Sequence, residues 1–346
     1  MTPAFDERVF RTLPLLVMAA AAAGGIAWGA GWSEQAAAVP WLVSLFVVGL
    51  PHGATDFAIS RQTWGGRLTV RLALVYLAGM ATVFGLFVIA PLPVIAVFAV
   101  VSVWHFGMAH ADGQSPPITD SAWLRGVAAV ARGGLVLGVP LARWPAATAG
   151  VVADVSRLVT GGESPVTASV VRAAGLMTIG LAVAAFAIEA VRAWPQPTER
   201  RRTIATATEL VVIALLGMTT APLFSVGLYF LWWHGWRQMR LLAPVIGGAA
   251  PSDARSLIAS LIAIHRVGLP LLVPTWFVIA AAWWLLSPTH SARDLVLLSL
   301  VAYLVVTPSH DLLIDLLRQR SADRAAARPS SMVPPSCAAR SRSCWA

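Results

Sequence analysis

Apolar segments of about 20 residues recur along most of the chain. A transmembrane helix needs about 20 predominantly apolar residues to cross the hydrocarbon core of a bilayer. About ten segments meet this requirement, with predicted limits 12–32, 40–60, 68–90, 91–111, 123–142, 165–192, 204–221, 222–241, 257–287 and 295–317. Arg132 interrupts the fifth of these segments and Arg172 the sixth. The sequence therefore predicts an all-α fold, a polytopic integral membrane helix bundle with about ten transmembrane helices.

The composition supports a membrane protein with a single transmembrane domain. Hydrophobic residues make up 58% of the 346 residues and charged residues 12%, and the mean hydropathy is +0.73. A soluble domain carries about twice that charge. We expect one transmembrane helical domain over residues 1–320 and a disordered cytoplasmic tail over 321–346, which is rich in Ala, Arg, Ser and Pro. Cys337 and Cys344 lie in that tail, which excludes a disulfide framework and a thiolate metal site.

The basic residues are arranged as membrane topology requires. The chain has 25 basic residues, all of them Arg, and a net charge of +9. In a soluble protein this excess would suggest a nucleic-acid partner, but here the arginines cluster between apolar segments, at 60–71, 192–202, 237–240 and after 318. The positive-inside rule then places both termini in the cytoplasm. We expect a multi-pass protein of the cell (inner or plasma) membrane that contacts the lipid bilayer and no nucleic acid. The loops 112–122 and 143–164 fit this topology poorly.

Five of the seven histidines fall inside predicted transmembrane segments: His52, His105, His234, His265 and His310. Four of them follow the outer end of their segments by about 12 to 15 residues, which corresponds to about 18–22 Å at the helical rise. His265 belongs to a segment of opposite direction, about 12 Å from the cytoplasmic face. All five imidazoles are thus predicted at one depth, while His110 and His290 are expected to be solvated.

A shared metal ion explains several histidines at one depth. Burying an unpaired polar group in hydrocarbon costs several kcal/mol. A single intramembrane histidine can be satisfied by a hydrogen bond to another helix, but several neutral imidazoles cannot all act as hydrogen-bond donors and acceptors for one another. A metal ion satisfies every lone pair at once. Asp56 follows His52 by one helical turn and could accept its ring N–H and fix its tautomer; alternatively, Asp56 is a proton carrier.

Four stretches carry a family resemblance: "GLPHGATD" (49–56), "WHFGMAHAD" (104–112), "YFLWWHGWRQ" (229–238) and, more loosely, "TPSHDLLID" (307–315). In this order, in a polytopic chain, they resemble the Brp/Blh family of bacterial and archaeal β-carotene 15,15′-dioxygenases. The resemblance implies that the protein cleaves the central double bond of β-carotene, or of a related carotenoid or isoprenoid, with O₂ to give retinal. It further implies a functional link to a retinal-binding rhodopsin.

The resemblance also implies the site. By match, His52, His105 and His234 would hold Fe(II), with His310 or His265 as further candidate ligands. Gln238 stands where the family tends to carry a second histidine of the third motif, so the iron site is expected to differ there. An apolar polyene needs aromatic packing rather than a charged anchor, and the candidate pocket residues are Trp104, Phe106, Tyr229, Trp233 and Trp236.

Two other functions fit the same residues. Histidines on several helices could be axial ligands of a membrane b-type haem protein. Alternatively, Asp56, His52 and His310 could form the proton relay of a transporter. A desaturase-type di-iron enzyme would need clustered histidine boxes, and the sequence has none.

Overall fold

A computed structural model describes residues 3–64, 66–112, 121–162, 165–247 and 249–326. The structure is 90% helical and the described residues contain no strand, which confirms the all-α prediction. In chain order the α-helices are α1 (Pro3–Glu7), α2 (Leu13–Trp28), α3 (Gly31–Gln35), α4 (Ala38–Val43), α5 (Gly49–Gly53), α6 (Asp56–Trp64), α7 (Gly66–Ile89), α8 (Pro91–Asp112), α9 (Ala122–Arg143), α10 (Pro145–Thr160), α11 (Ala168–Ala193), α12 (Pro197–Thr219), α13 (Pro222–Leu228), α14 (Trp236–Gly247), α15 (Ala254–Leu286) and α16 (Ala292–Ala326).

Within the described ranges, nine helical runs are long and apolar enough to cross a membrane. They match nine of the predicted segments, and the protein is a multi-pass membrane protein. The remaining predicted segment, 222–241, folds as α13, a π-helical stretch at Tyr229–Gly235, and α14. Helix α16 continues to Ala326, into the predicted tail, and residues 327–346 of that tail lie outside the described residues.

The predicted loop 143–164 is largely helical instead. It contains α10, which begins at Pro145 and ends at Thr160, directly before Gly161, a glycine with φ of 69°. Pro is favoured in the first turn of a helix because it needs no N–H partner there, and Gly tolerates the left-handed conformation that ends one. Helix α10 buries Val155 against α16. At 16 residues it is shorter than a bilayer-crossing helix, which is why the segment resembled a loop.

Two stretches of π-helix lie beside the predicted histidines. One covers Ser44–Val48, directly before the turn that carries His52, and the other, Tyr229–Gly235, contains His234. A π-helical turn holds an extra residue, which redirects the side chains that follow, and such turns often occur at functional sites. The two stretches therefore set the directions of two of the candidate ligands.

Helices α8 and α9 are in backbone contact through glycines, and this contact fixes the position of His105. A Cβ added to Gly107 would overlap the carbonyl of Ala129, and one added to Gly133 would overlap the carbonyl of Val103. Small residues let membrane helices approach this closely. Helix α8 is thus held against α9 in one register.

A buried ion pair explains how a membrane helix tolerates Arg132. Its side chain on α9 is fully buried and donates two hydrogen bonds, of 2.6 and 2.7 Å, to the Glu189 carboxylate on α11. A bidentate arginine–carboxylate pair satisfies both charges inside the bundle. The arginine that interrupts the fifth predicted segment therefore joins two neighbouring helices.

Candidate metal centre

Four helical segments bring four histidines to one point in the bundle. His52 comes from α5, His105 from α8, His234 from the π-helical stretch and His310 from α16. The ring centroids of His105 and His234 lie 4.6 Å apart, and those of His52 and His234 lie 5.2 Å apart. The ring of His310 lies 5.5 Å from that of His105 and 5.7 Å from that of His52. The four imidazoles form one cluster, called here the histidine cluster.

Three of the four rings are oriented through Nδ1. His105 Nδ1 lies 2.5 Å from Asp311 Oδ1, and His310 Nδ1 lies 2.6 Å from Asp56 Oδ2. His52 Nδ1 lies 3.0 Å from the carbonyl oxygen of Val48. An imidazole that donates Nδ1–H to an oxygen acceptor presents Nε2 as the ligand atom, which is the usual arrangement around protein-bound metals.

The partner of Asp56 differs from the sequence prediction. The spacing in the sequence suggested that Asp56 could accept the ring N–H of His52, one helical turn earlier, but its Oδ2 lies 2.6 Å from His310 Nδ1 instead. The chain turns at Ala54 and Thr55, between α5 and α6, so the two residues do not share a continuous helical face. A carboxylate still orients a histidine of the cluster, but it does so across two helices.

His234 is held differently from the other three histidines. Its Nδ1 is buried and has no hydrogen-bond partner among the described residues. Its ring stacks on that of Phe230 at 5.4 Å, with 11° between the planes, and packs edge-on against Phe106. Its Nε2 lies 3.1 Å from His105 Nε2.

This arrangement fits a metal ion. The ligand atoms of His52, His105 and His234 lie within 4.8 Å of one another, and so do those of His105, His310 and Asp311. With Nδ1 of His105 directed at a carboxylate, its Nε2 lone pair faces the Nε2 of His234. Two imidazole nitrogens this close need a proton or a cation between them, and a metal ion can accept lone pairs from several imidazoles at once.

His265, a further candidate ligand, lies apart from the histidine cluster. Its Nδ1 is 2.8 Å from the carbonyl oxygen of Leu261, and its Nε2 is 3.2 Å from that of Phe46. Both ring nitrogens thus face backbone carbonyls. The depth predicted for His265 equals that of the cluster, but its face of α15 is directed elsewhere.

The other two histidines differ from one another. His290 is exposed, as predicted. The prediction that His110 is solvated is wrong. His110 is only 2% exposed, and its Nε2 lies 2.7 Å from Glu209 Oε2. Sequence analysis also missed Glu209. It is the only acidic residue within the predicted segment 204–221, and an acid inside an apolar segment was a usable signal.

Two cavities meet at the histidine cluster. The larger, of about 710 Å³, is mostly apolar, and His52, His105 and His310 lie in its wall. The smaller, of about 210 Å³, shares these three histidines and adds Asp311, Asp315 and Gln238. Gln238 thus lies in the wall of the smaller, more polar cavity.

The predicted pocket aromatics are only partly at the large cavity. Phe106 lines it, whereas Trp104 lines the smaller one. Trp233 is buried and donates its indole N–H to His110, and Trp236 donates to the carbonyl of Val9. Tyr229 is buried against Phe106. Aromatic residues close to His234 in the sequence do not all line the cavity, because successive residues of a helical turn point in different directions.

Comparisons with known proteins identify a family and related sequences. A family model described as "Beta-carotene 15,15'-dioxygenase" matches residues 43–318. The chain is 26% identical over 300 residues to a Halobacterium salinarum protein named "Probable beta-carotene 15,15'-dioxygenase Blh", covering 82% of this chain and 84% of that protein. It is 25% identical over 327 residues to one named "Probable beta-carotene 15,15'-dioxygenase Brp" from the same species, covering 84% and 85%. No solved structure matches the chain.

Proposed function

The chain belongs to the beta-carotene 15,15'-dioxygenase family, and on that basis we propose that it cleaves β-carotene, or a closely related carotenoid, at the central double bond with O₂ to give retinal. The observation that carries this proposal is a histidine cluster in the wall of a mostly apolar cavity inside a helical bundle.

The proposed metal is Fe(II), held by His52, His105 and His234, with His310 as a further ligand. Imidazole suits iron, and neutral ligands leave the cationic charge of the ion uncompensated. Bound there, the iron would supply the activation of dioxygen. The chain itself supplies orientation: Val48, Asp311 and Asp56 accept the Nδ1 protons of three histidines and so keep Nε2 available to the ion.

We take the position of cleavage, the central double bond, from the family. On α8 the cavity wall reaches Ile95, ten residues or about 15 Å before His105, which gives room for one half of the polyene. β-Carotene is symmetrical, with a ring at each end, so cleavage at its middle would give two molecules of retinal.

The lining of the cavity suits a hydrocarbon substrate. Its volume of about 710 Å³ falls within the range of about 300–1,000 Å³ typical of small-molecule sites. Burying the polyene against apolar side chains would contribute about 25 cal/mol per Å² to binding. The same lining excludes water from the cluster, apart from the polar wall of the smaller cavity around Gln238.

The cluster geometry fits the two alternative functions less well. The four imidazole rings pack against one another at 4.6 to 5.7 Å, which leaves no room among them for a porphyrin. The carboxylates of Asp56 and Asp311 are each engaged with a histidine, as expected for residues that orient ligands.

We place the protein in the cell membrane with both termini in the cytoplasm, on the distribution of its arginines. In that membrane the product, retinal, would be released where a retinal-binding rhodopsin could take it up. The cluster would then lie in the cytoplasmic half of the bilayer.

Expression in cells that make β-carotene tests the proposal. The unaltered protein is expected to remove the orange colour and accumulate retinal, and the purified protein is expected to contain iron. His52→Ala should abolish both, whereas the control His290→Ala, which alters an exposed histidine, should behave as the unaltered protein. Gln238→His should retain iron at least as well. Unchanged colour and absence of retinal with the unaltered, folded protein would refute the proposal.

A further inference from the structure

A line of buried polar contacts connects α12 to the π-helical stretch that carries His234. Trp233 donates its indole N–H to His110 Nδ1 at 3.2 Å. His110 Nε2 lies 2.7 Å from Glu209 Oε2, and Glu209 Oε1 accepts from Arg11 Nε at 2.6 Å. Because His110 Nδ1 accepts, its proton is on Nε2 and is donated to Glu209. The contacts thus have one consistent direction, from Trp233 to the carboxylate.

The polar groups along this line are paired with one another and shielded from water. Trp233 is 1% exposed, and His110 and Glu209 are each 2% exposed. The Glu209 charge is balanced by Arg11, and the guanidinium of Arg237 lies over the Trp233 ring at 4.4 Å. Removing one member of such a set leaves a buried polar group without its partner, which is unfavourable.

The contrast with the other histidines of the cluster indicates what this line does. His52, His105 and His310 are each oriented by an oxygen acceptor at their own Nδ1, whereas His234 has none among the described residues. His234 directly follows Trp233 in the π-helical stretch. Rotation of this stretch about its axis would move the His234 ring and break the Trp233 hydrogen bond together.

We propose that Trp233, His110 and Glu209 are positioning residues that hold His234 at the metal centre. The inference rests on the proposed function, since it assumes an ion at the histidine cluster. Asp311 orients His105 through a direct hydrogen bond. Glu209 would orient His234 in the same sense, but through His110 and Trp233. Partners that hydrogen-bond directly to ligands typically change metal affinity 10- to 100-fold when mutated, so for this longer connection we expect about 10-fold.

Cobalt(II) is the probe for the test, because its visible absorption reports the geometry of its ligands independently of turnover. Trp233→Phe removes the indole N–H and keeps an aromatic ring over which Arg237 can lie. Glu209→Gln keeps an oxygen acceptor and removes the charge. Trp283→Phe is the matched control, since it also deletes one indole hydrogen bond, to the carbonyl of Ser291, far from the cluster.

Full-length protein in nanodiscs is titrated with cobalt(II), and kcat and KM for β-carotene are measured on the iron-loaded protein. Trp233→Phe and Glu209→Gln should bind cobalt about 10-fold more weakly, with shifted absorption bands and a lower kcat but unchanged KM, while Trp283→Phe matches the unaltered protein. A role in folding alone would leave the bands of the folded fraction unchanged. If Trp233→Phe does not fold, the cobalt affinity and absorption bands of Glu209→Gln decide the test.

The outcomes separate the two proposals. Normal cobalt binding and normal spectra in both variants would overturn the positioning role and leave the metal centre intact. Failure of the unaltered protein to bind cobalt or iron would overturn the metal centre itself, and this inference with it.

Discussion

Removal of the Asp311 carboxylate should weaken metal binding in two graded steps. Asp311 Oδ1 lies 2.5 Å from His105 Nδ1, and the two side chains are 19% and 13% exposed. The contact is therefore largely shielded from water and only weakly screened. Asp311→Asn keeps an oxygen that can accept the ring N–H but removes the charge, whereas Asp311→Ala removes the acceptor altogether.

The two magnitudes follow from the hydrogen bond. A bond to a charged acceptor contributes about 1.5–3 kcal/mol and a neutral one about 0.5–1.5 kcal/mol, so Asp311→Asn should lose about 1 to 1.5 kcal/mol, or about 10-fold in metal affinity. Asp311→Ala also leaves the His105 N–H without its acceptor and frees the ring to rotate, so the loss should approach 100-fold, the upper end for such partners.

The measurement is a chelator-competition titration of the purified, metal-free protein in nanodiscs with cobalt(II) and with anaerobic iron(II). Asp154→Asn is the control, because that carboxylate forms exposed ion pairs with Arg157 and Arg293, which contribute little. Asp311→Ala binding metal as tightly as the unaltered protein would refute the role of the carboxylate. A larger loss for Asp311→Asn than for Asp311→Ala would refute the hydrogen-bond reasoning.

Three further predictions concern packing, charge and the substrate cavity. Gly107→Val should force α8 away from the Ala129 carbonyl and lower stability by about 1–3 kcal/mol or more; an unchanged thermal midpoint would contradict the close backbone contact. Arg132→Met should destabilise by about 3–5 kcal/mol because Glu189 is left without its partner, and adding Glu189→Gln should restore most of the loss in the same unfolding assay. Val152→Trp should narrow the large cavity, which Val152 lines, and remove about 50 Å² of polyene contact, which at about 25 cal/mol per Å² raises KM about 10-fold with metal content unchanged; a normal KM would show that the polyene lies elsewhere.

The sequence alone predicted that the chain folds within a bilayer and that several of its histidines share one depth. The length and apolarity of the segments predicted a helical membrane bundle because a bilayer imposes one length on every crossing helix. From a fixed rise per residue we then predicted His52, His105, His234 and His310 at one level. The motif likeness added the family, which the comparisons confirm.

Only the tertiary structure decided which residues at that depth meet. Depth is set along a helix axis, but contact depends on rotation about that axis and on the choice of neighbours, and neither is readable from hydropathy. His265 is predicted at the same level, yet its ring faces the carbonyls of Leu261 and Phe46. The π-helical stretch at Tyr229–Gly235 redirects the aromatic side chains around His234, as at Trp233, so that most of those expected at the cavity pack elsewhere.

The sequence also did not predict which residues of distant segments would pair. Asp56 pairs with His310, and Glu209 with His110, although nothing local to either acid names its partner. Inside a bundle a carboxylate is stable only where another helix brings it a donor. Each buried acid therefore predicts that a partner exists, and only the packing of the helices decides which residue it is.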